Sequence, residues 1–571
     1  LMINALTTWL YGGDPFEPLA FESPLSAIKQ RLEDGERYFE SLLKVALLEN
    51  SHRSTVVLEP DPEMNRRLDD EESARLAAAR SAMSAADFEA VAENERKLVR
   101  IQETPDSPEA LATIPVLTLD DLEKENKPIP LEELDAGGVK LLYHDLFTNG
   151  IVYLDVSFDL SGVPQELLPY LSLFASGLVK MGTEAEDYVQ LSQRIGRETG
   201  GVSPSLLIQN KYHSEELVAR LVVRAKSTMD KIGEMLAILK DILLTTKYDN
   251  PERFKQILME YKARMESALV PSGHAVVNRR LGAALSMSGW LSEQTQGLDN
   301  LFFSRALIDR MGSDWEQIAA SFARIREAVV NRETMLINVT LDQENWQQVG
   351  GQLDGFVSAI PQREAISAVW TLEDAPDAEG LTIPAQVNYV GKGANLYKLG
   401  YQPDGSINVI RKYLGTTYIW EKIRVQGGAY GGFTVYDLHS GVFNFLSYRD
   451  PNLLGTLKNY DGTANFLRTL DLAESELVKS IIGTIGDMDA YQLPDAKGFT
   501  SMVRYLTGYG EEERQRVREQ VLATTEKDFK ALAVQLEKLN QTGKIAVLGS
   551  AAAIAEANQE AGDFLAVKTI L

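Results

Sequence analysis

Between Pro24 and Asn50 the apolar positions Leu25, Ile28, Leu32, Tyr38, Leu42 and Val45 follow helical spacing, which predicts one helix with an apolar stripe. Ser23 before Pro24 suits an N-cap followed by a first-turn proline, whose missing N–H would have no helical partner there. Ser54–Glu59 then reads as a short strand, stopped by Pro60 and Pro62. No partner strand is evident nearby, so residues 1–60 are expected to be the remnant of a preceding α/β domain whose sheet lies upstream. Residues 63 to 104 are charged and alanine-rich, with i,i+4 possibilities such as Glu93 to Lys97, the pattern of a solvated helical connector. Pro105 to Pro130 is acidic and proline-punctuated. Together 61–135 are expected to form a helical hairpin connector and a linker.

After residue 135 strand-like and helix-like patterns intermix, in two segments that look like copies of one plan. The first, 136–330, opens with strands at Gly138–His144 and Ile151–Phe158 joined by a loop ending in Asn149-Gly150. Helices are predicted over Glu166–Lys180 and Tyr188–Gly196. The pair Gly200-Gly201 leads into strands Ser203–Gln209 and Glu216–Lys226, and helices Thr228–Thr245 and Pro251–Ala268 close the copy before Pro271. The second, 331–571, repeats the order: strand Ala385–Val390, helix Ile407–Arg424, a glycine run, strands Phe433–Asp437 and Val442–Tyr448, then helices Leu453–Thr469 and Glu474–Met488 before Pro494. The expected class is α+β: two homologous α/β domains with antiparallel-rich sheets packed by helices, preceded by the hairpin connector.

Composition narrows the function. At 571 residues, 44% hydrophobic and 24% charged, the chain is an ordinary globular one of several domains. A net charge of −25 argues against nucleic acid, whose phosphates it would repel. No apolar run is long enough to span a bilayer, and the start lacks a signal peptide's basic region and cleavage site. A bacterial cytoplasm or an organelle matrix is the expected location. Position 1 is leucine, and the chain reads as the downstream part of something longer.

Metal chemistry is constrained by a count. There are five histidines, at 52, 144, 213, 274 and 439, and no cysteine. No two histidines share a helical turn or short hairpin, the arrangement from which catalytic zinc sites draw paired ligands. His213-Ser-Glu-Glu216 gives H-x-x-E but continues into Leu217, so no H-x-x-E-H occurs. The absence of thiols also removes thiolate zinc sites, thiol nucleophiles and disulfides.

The strongest candidate chemistry lies in Glu421-Lys-Ile-Arg424-Val-Gln-Gly-Gly-Ala-Tyr430-Gly-Gly-Phe433. Arg424 and Tyr430 flank or enter a run containing Gly427, Gly428, Gly431 and Gly432, where backbone without Cβ atoms can approach a ligand closely. A guanidinium and a phenol could hold one peptide carbonyl and stabilise an oxyanion. Equally, Arg424 could pair with a local carboxylate while the glycines only make a turn.

This segment, with Ser440–Asn452, Trp9–Phe16 and the connector after Leu58–Pro62, resembles the presequence-protease branch of the pitrilysin/insulinase zinc metallopeptidases, over essentially the whole chain. The resemblance is to the downstream, zinc-free half. It implies four homologous domains in two bowl-shaped halves around a chamber for short unfolded peptides, such as cleaved targeting peptides, with zinc and the glutamate base in the missing N-terminal half. It further implies that Arg424 and Tyr430 contact substrate near the scissile bond, and that this chain alone is inactive. If Gly182-Thr183 is matched to the ending of the family's zinc helix, the three motif positions fall on Leu173, Ser176 and Gly177, none a zinc ligand. The alternative is a non-catalytic peptide-binding or structural subunit of the same fold. The unpaired edge of the Ser54–Glu59 strand also predicts self-association of the isolated chain.

Overall fold

A computed structural model describes every residue except 1, 60, 105, 373 and 374, so the expected roles of Pro60 and Pro105 lie outside the described residues. The chain divides into two compact units, Leu1–Pro115 and Val116–Leu571.

Unit one is helical. The stripe expected to make one helix forms Glu22–Glu33 and Tyr38–Leu43, the latter running into a wider turn at Lys44–Leu48. Gly35, at φ +81°, ends the first helix in the left-handed region that suits glycine. Ser23 lies inside that helix, so it is not the N-cap expected of it. Met64–Ala82 and Ala85–Glu103 form the predicted connector pair. Ser84 and Asp87 make a reciprocal capping box at the start of the second, the Ser84 N–H donating to Asp87 at 2.8 Å. Glu93 pairs with Arg96 at 2.9 Å, one residue short of the expected Lys97. Ser54–Glu59 is not a strand: no ladder partner exists for it among the described residues. The strand edge from which self-association was expected is therefore missing. No described side chain of this unit is buried.

Unit two holds two six-stranded sheets. The first comprises β1 (Glu132–Ala136), β2 (Val139–Asp145), β3 (Ile151–Asp159), β4 (Val202–Asn210), β5 (Leu217–Thr228) and β6 (Met335–Leu341), in the order β1-β2-β6-β3-β5-β4. The second comprises β7 (Ala378–Thr382), β8 (Tyr389–Asn395), β9 (Gly431–Tyr436), β10 (Val442–Tyr448), β11 (Lys544–Gly549) and β12 (Ala566–Thr569), in the order β12-β7-β11-β8-β10-β9. Five strands correspond one to one: β2, β6, β3, β5, β4 match β7, β11, β8, β10, β9. Pairing sense matches as well, with β2–β6 and β7–β11 parallel and the following three pairs antiparallel in each sheet. The internal repeat read from the chain is thus a repeat of topology.

The expected break at residue 330 cuts through the first sheet, because β6 inserts between β2 and β3. All seven residues of β6 are buried, the polar Asn338 and Thr340 of its alternating Ile337–Leu341 run included, so both faces of this strand lie inside the fold. The core beneath this sheet continues to Ile360. Its opposite face carries Leu142, Val222 and Leu336 against Met502 of the Pro494–Thr507 helix. The Gly273–Leu285 helix packs Val277 and Leu281 against the second sheet's Leu381, Tyr389 and Leu446. The stretch expected as a free linker is pinned too: Arg518, fully buried, donates to the Glu123 carbonyl at 2.6 and 2.9 Å.

Candidate functional site

The predicted helix Ile407–Arg424 is two pieces. Ser406–Thr416 ends at Thr417, and Trp420–Val425 follows as a widened turn in which the Gln426 N–H reaches back to the Glu421 carbonyl at 2.9 Å. This sets Trp420 and Arg424 on the same exposed side. The Arg424 guanidinium carbon lies 4.2 Å from the Trp420 ring centroid and 5.5 Å from that of Tyr430.

The glycine run then turns the chain into β9, the edge strand of the second sheet. The Gly428 N–H donates to the Arg424 carbonyl at 2.9 Å, and the Ala429 N–H to that of Ile423 at 3.1 Å. Gly428 has φ +76°. A Cβ on Gly427 would sit 2.6 Å from the Ile423 oxygen, and one on Gly432 2.9 Å from side-chain carbons of Ile419 and Ile423. Gly431 has no neighbour closer than 3.6 Å. Three of the four glycines are therefore required by turn conformation or by the close packing of β9 on the preceding turn. Asn452 fastens the loop from the other side, donating to the Gly427 carbonyl at 2.5 Å.

Tyr430 is held at its backbone and free at its hydroxyl. Its N–H donates to the Arg449 carbonyl at 3.3 Å, and its ring meets Tyr448 edge-on at 5.6 Å, leaving the residue 64% exposed. Among the described residues, Arg424 has no carboxylate partner and neither its guanidinium nor the Tyr430 hydroxyl makes a hydrogen bond within the chain. The local-carboxylate reading of Arg424 finds no support here. Two exposed donors lie beside a strand whose far edge is unpaired among the described residues. Trp420, Tyr448 and Arg449 were missed in sequence; the i,i+4 spacing of Trp420 and Arg424 was the available signal. His274 stacks edge-on against Tyr448 at 5.0 Å and Phe433 at 5.4 Å, and burial pushes its pKa below the usual imidazole value.

The positions matched to the zinc motif do not suit a metal. Leu173 is fully buried in the first core, and a Cβ on Gly177 would lie 2.5 Å from the Tyr248 ring. His213, at φ +48°, meets the Tyr397 ring, and Glu216 pairs with Lys211 at 2.5 Å. His144 is buried between the Pro130 carbonyl and the Asn338 side-chain oxygen, each at 2.8 Å. Among the described residues no group of three or more His, Asp or Glu could hold a metal ion. The residues present do not fit zinc.

The class of fold is set by the solved structures it resembles. The peptidase M16 inactive domain from Pseudomonas fluorescens superposes with a TM-score of 0.54 over 74% of this chain and 98% of that one, at 14% identity, a likeness of fold alone. Sequence is more specific. Residues 58–307 match the family described as associated with M16 peptidases of subfamily C, and 378–551 match the PreP C-terminal domain. Presequence protease 1, chloroplastic/mitochondrial, of Arabidopsis thaliana is 42% identical over 574 residues, covering all of this chain and 53% of that protein. The mitochondrial presequence protease of Danio rerio is 25% identical, covering 95% of this chain and 55% of that protein. The chain belongs to the presequence-protease branch of the M16 peptidase family and corresponds to its C-terminal half, spanning about half the length of the curated relatives it matches. No helix among the described residues is long and apolar enough to cross a membrane.

Proposed function

We propose that this chain is the substrate-binding half of a zinc endopeptidase that degrades short unfolded peptides, with zinc and the general base carried by an N-terminal half. The observation that carries the reading is the pair of unpartnered donors, Arg424 and Tyr430, converging at the head of an edge strand. An edge strand offers main-chain groups to an extended peptide without regard to its sequence. A guanidinium fork and a phenol beside it would grip a peptide carbonyl and stabilise negative charge developing on its oxygen. Arg424 and Tyr430 bind and polarise; Gly427, Gly428 and Gly432 set the loop that presents them. In this reading zinc and its base belong to the N-terminal half, and this chain holds the peptide. Unit one favours such a partner: Trp9, Tyr11 and Phe16 are each more than half exposed, an apolar surface suited to being covered. The Arabidopsis and Danio relatives, named for presequences and organelles, make cleaved targeting peptides the expected substrate class.

The test is reconstitution. This chain mixed with an N-terminal half bearing H-x-x-E-H is expected to cleave an unstructured peptide that neither half cleaves alone. Turnover unchanged by Arg424→Ala and Tyr430→Phe would remove both residues from the site. Tight peptide binding with no turnover in the reconstituted pair would favour the non-catalytic binding subunit.

A further inference from the structure

β4 is the counterpart of β9 in the repeat, and like β9 it ends its sheet with one side unpaired among the described residues. Beside it lies a cavity of about 790 Å³. Residues 202 to 206 all line it. Successive side chains of a strand point to opposite faces, so five consecutive residues can border one cavity only if it runs along the strand's edge. The opposite wall is helical: Ser172, Ala175, Ser176 and Val179 present one face of the Leu171–Leu178 helix and its C-cap, and the Pro251–Ala268, Gly273–Leu285, Met287–Gln296 and Leu298–Arg310 helices complete it. The space has the β4 edge on one side and, on the other, small residues of the Leu171–Leu178 helix beside larger ones such as Tyr261, Met265 and Leu301.

Its charge is selective. Lys180 in the lining is paired with Glu260, and Glu293 is turned to Arg280 and the Asp299 N–H. Arg264 and Arg279 are left with no carboxylate within ion-pair distance among the described residues; Arg279 donates to the Gln296 carbonyl and Arg264 rests near the Tyr261 ring. Glu293 acts on Arg279 only at longer range, so two guanidinium groups without a direct ion pair share one groove on a chain of net charge −25. Pro204 removes one donor from the edge, so a strand added to β4 pairs with the remaining main-chain groups.

We infer that this groove binds an extended peptide by strand addition to β4, with the peptide's C-terminal carboxylate held by Arg264 and Arg279. Main-chain pairing ignores sequence, and the terminal carboxylate is the one anionic group every peptide carries. Both recognition elements are then sequence-independent, as a handler of diverse peptides requires. The inference deepens the peptide-processing reading and rests on it for the class of ligand.

The experiment is fluorescence anisotropy on the full chain with a short alternating Val/Thr peptide carrying an uncharged N-terminal dye. The free-acid peptide is expected to bind at least about tenfold more tightly than its C-terminal amide. Arg264→Gln with Arg279→Gln should abolish that difference, with an unchanged melting temperature showing that the variant is folded. N-methylation at alternate peptide amides should weaken binding. Equal affinity for acid and amide, no effect of the double substitution, no effect of N-methylation, or no binding would each overturn the assignment. Equal binding by an amidated peptide bearing an internal aspartate would overturn the terminal-carboxylate occupant. Binding is read here without turnover, so failure leaves the Arg424 and Tyr430 proposal standing, and loss of turnover in their variants leaves this one standing.

Discussion

Trp420 lies beneath Arg424 at cation–π distance, its ring centroid 4.2 Å from the guanidinium carbon. The indole can therefore hold a cation that no carboxylate among the described residues holds, leaving the fork's donors free for a ligand. In the reconstituted enzyme, Arg424→Ala is expected to lower kcat by about 10²–10³, the range seen when one oxyanion donor is removed. Trp420→Ala should cost less, about two- to fivefold in kcat/KM, because an exposed cation–π contact contributes only about 0.5–1 kcal/mol. Arg424→Lys should recover little, since an ammonium lacks the planar fork. Steady-state kinetics of the three variants separate these outcomes.

The glycines of the loop should not behave alike. Gly432→Ala places a carbon 2.9 Å from Ile419 and Ile423, and Gly428→Ala forces a side chain into φ +76°, whereas Gly431 has open space. We expect Gly428→Ala and Gly432→Ala each to reduce peptide turnover together with thermal stability, by about 1–2 kcal/mol. Gly431→Ala should leave stability within about 0.5 kcal/mol. Equal effects at all three would mean that the loop's glycines serve some need other than conformation and packing.

How much of this site could be read from sequence depended on locality. Arg424, Tyr430 and their glycines lie within one short segment, and the turn between them follows from local backbone needs. The repeat was visible because Gly200-Gly201 and Gly427–Gly432 recur before corresponding strands. What failed was non-local. Ser54–Glu59 has strand composition, but a strand exists only with a ladder partner, and none is present among the described residues. β6 alternates apolar and polar residues over Ile337–Leu341, but its place was hidden because it pairs with β2, about two hundred residues earlier in the chain. The cavity along β4 draws on β4 and five helices spread from Leu171 to Arg310, so no motif could announce it.

Arg518 and Asp489 should show an acid-dependent bond. The two meet fork to fork at 2.8 Å for each bond, with the arginine fully buried, and this bonding holds the Asp489 carboxyl below the usual carboxylate range. A carboxyl whose folded-state pKa is depressed contributes stability above its unfolded value, 3.8 here, and loses it as pH falls through the folded value. Asp489→Asn should therefore lower the melting temperature at neutral pH and flatten its decline below about pH 4. Arg518→Met removes the anchor of the Glu123 carbonyl as well and should cost about 3 kcal/mol. Amide exchange over residues 119–127 should quicken in that variant. Identical acid limbs for native and Asp489→Asn proteins would count against the pair.

The helix matched to the zinc motif supplies the last expectation. Gly177 packs directly beneath Tyr248, whose hydroxyl donates to the Phe174 carbonyl at 2.8 Å, and Leu173 is buried in the same core. Gly177→Ala should destabilise the chain by about 1–3 kcal/mol through overpacking. Tyr248→Leu in the same chain should relieve part of that loss, because the clash needs the ring, and the coupling is measurable by a double-mutant cycle on the melting transition. Restoring the motif with Leu173→His, Ser176→Glu and Gly177→His should not yield a zinc site. Two of the three side chains would enter the packed interior, and only position 176 faces the open groove. Calorimetric titration should find no stoichiometric zinc, together with a lowered melting temperature. Stoichiometric binding without loss of stability would show instead that this helix can turn its motif face outward, and that its metal-free state is a matter of three substitutions and not of the surrounding core.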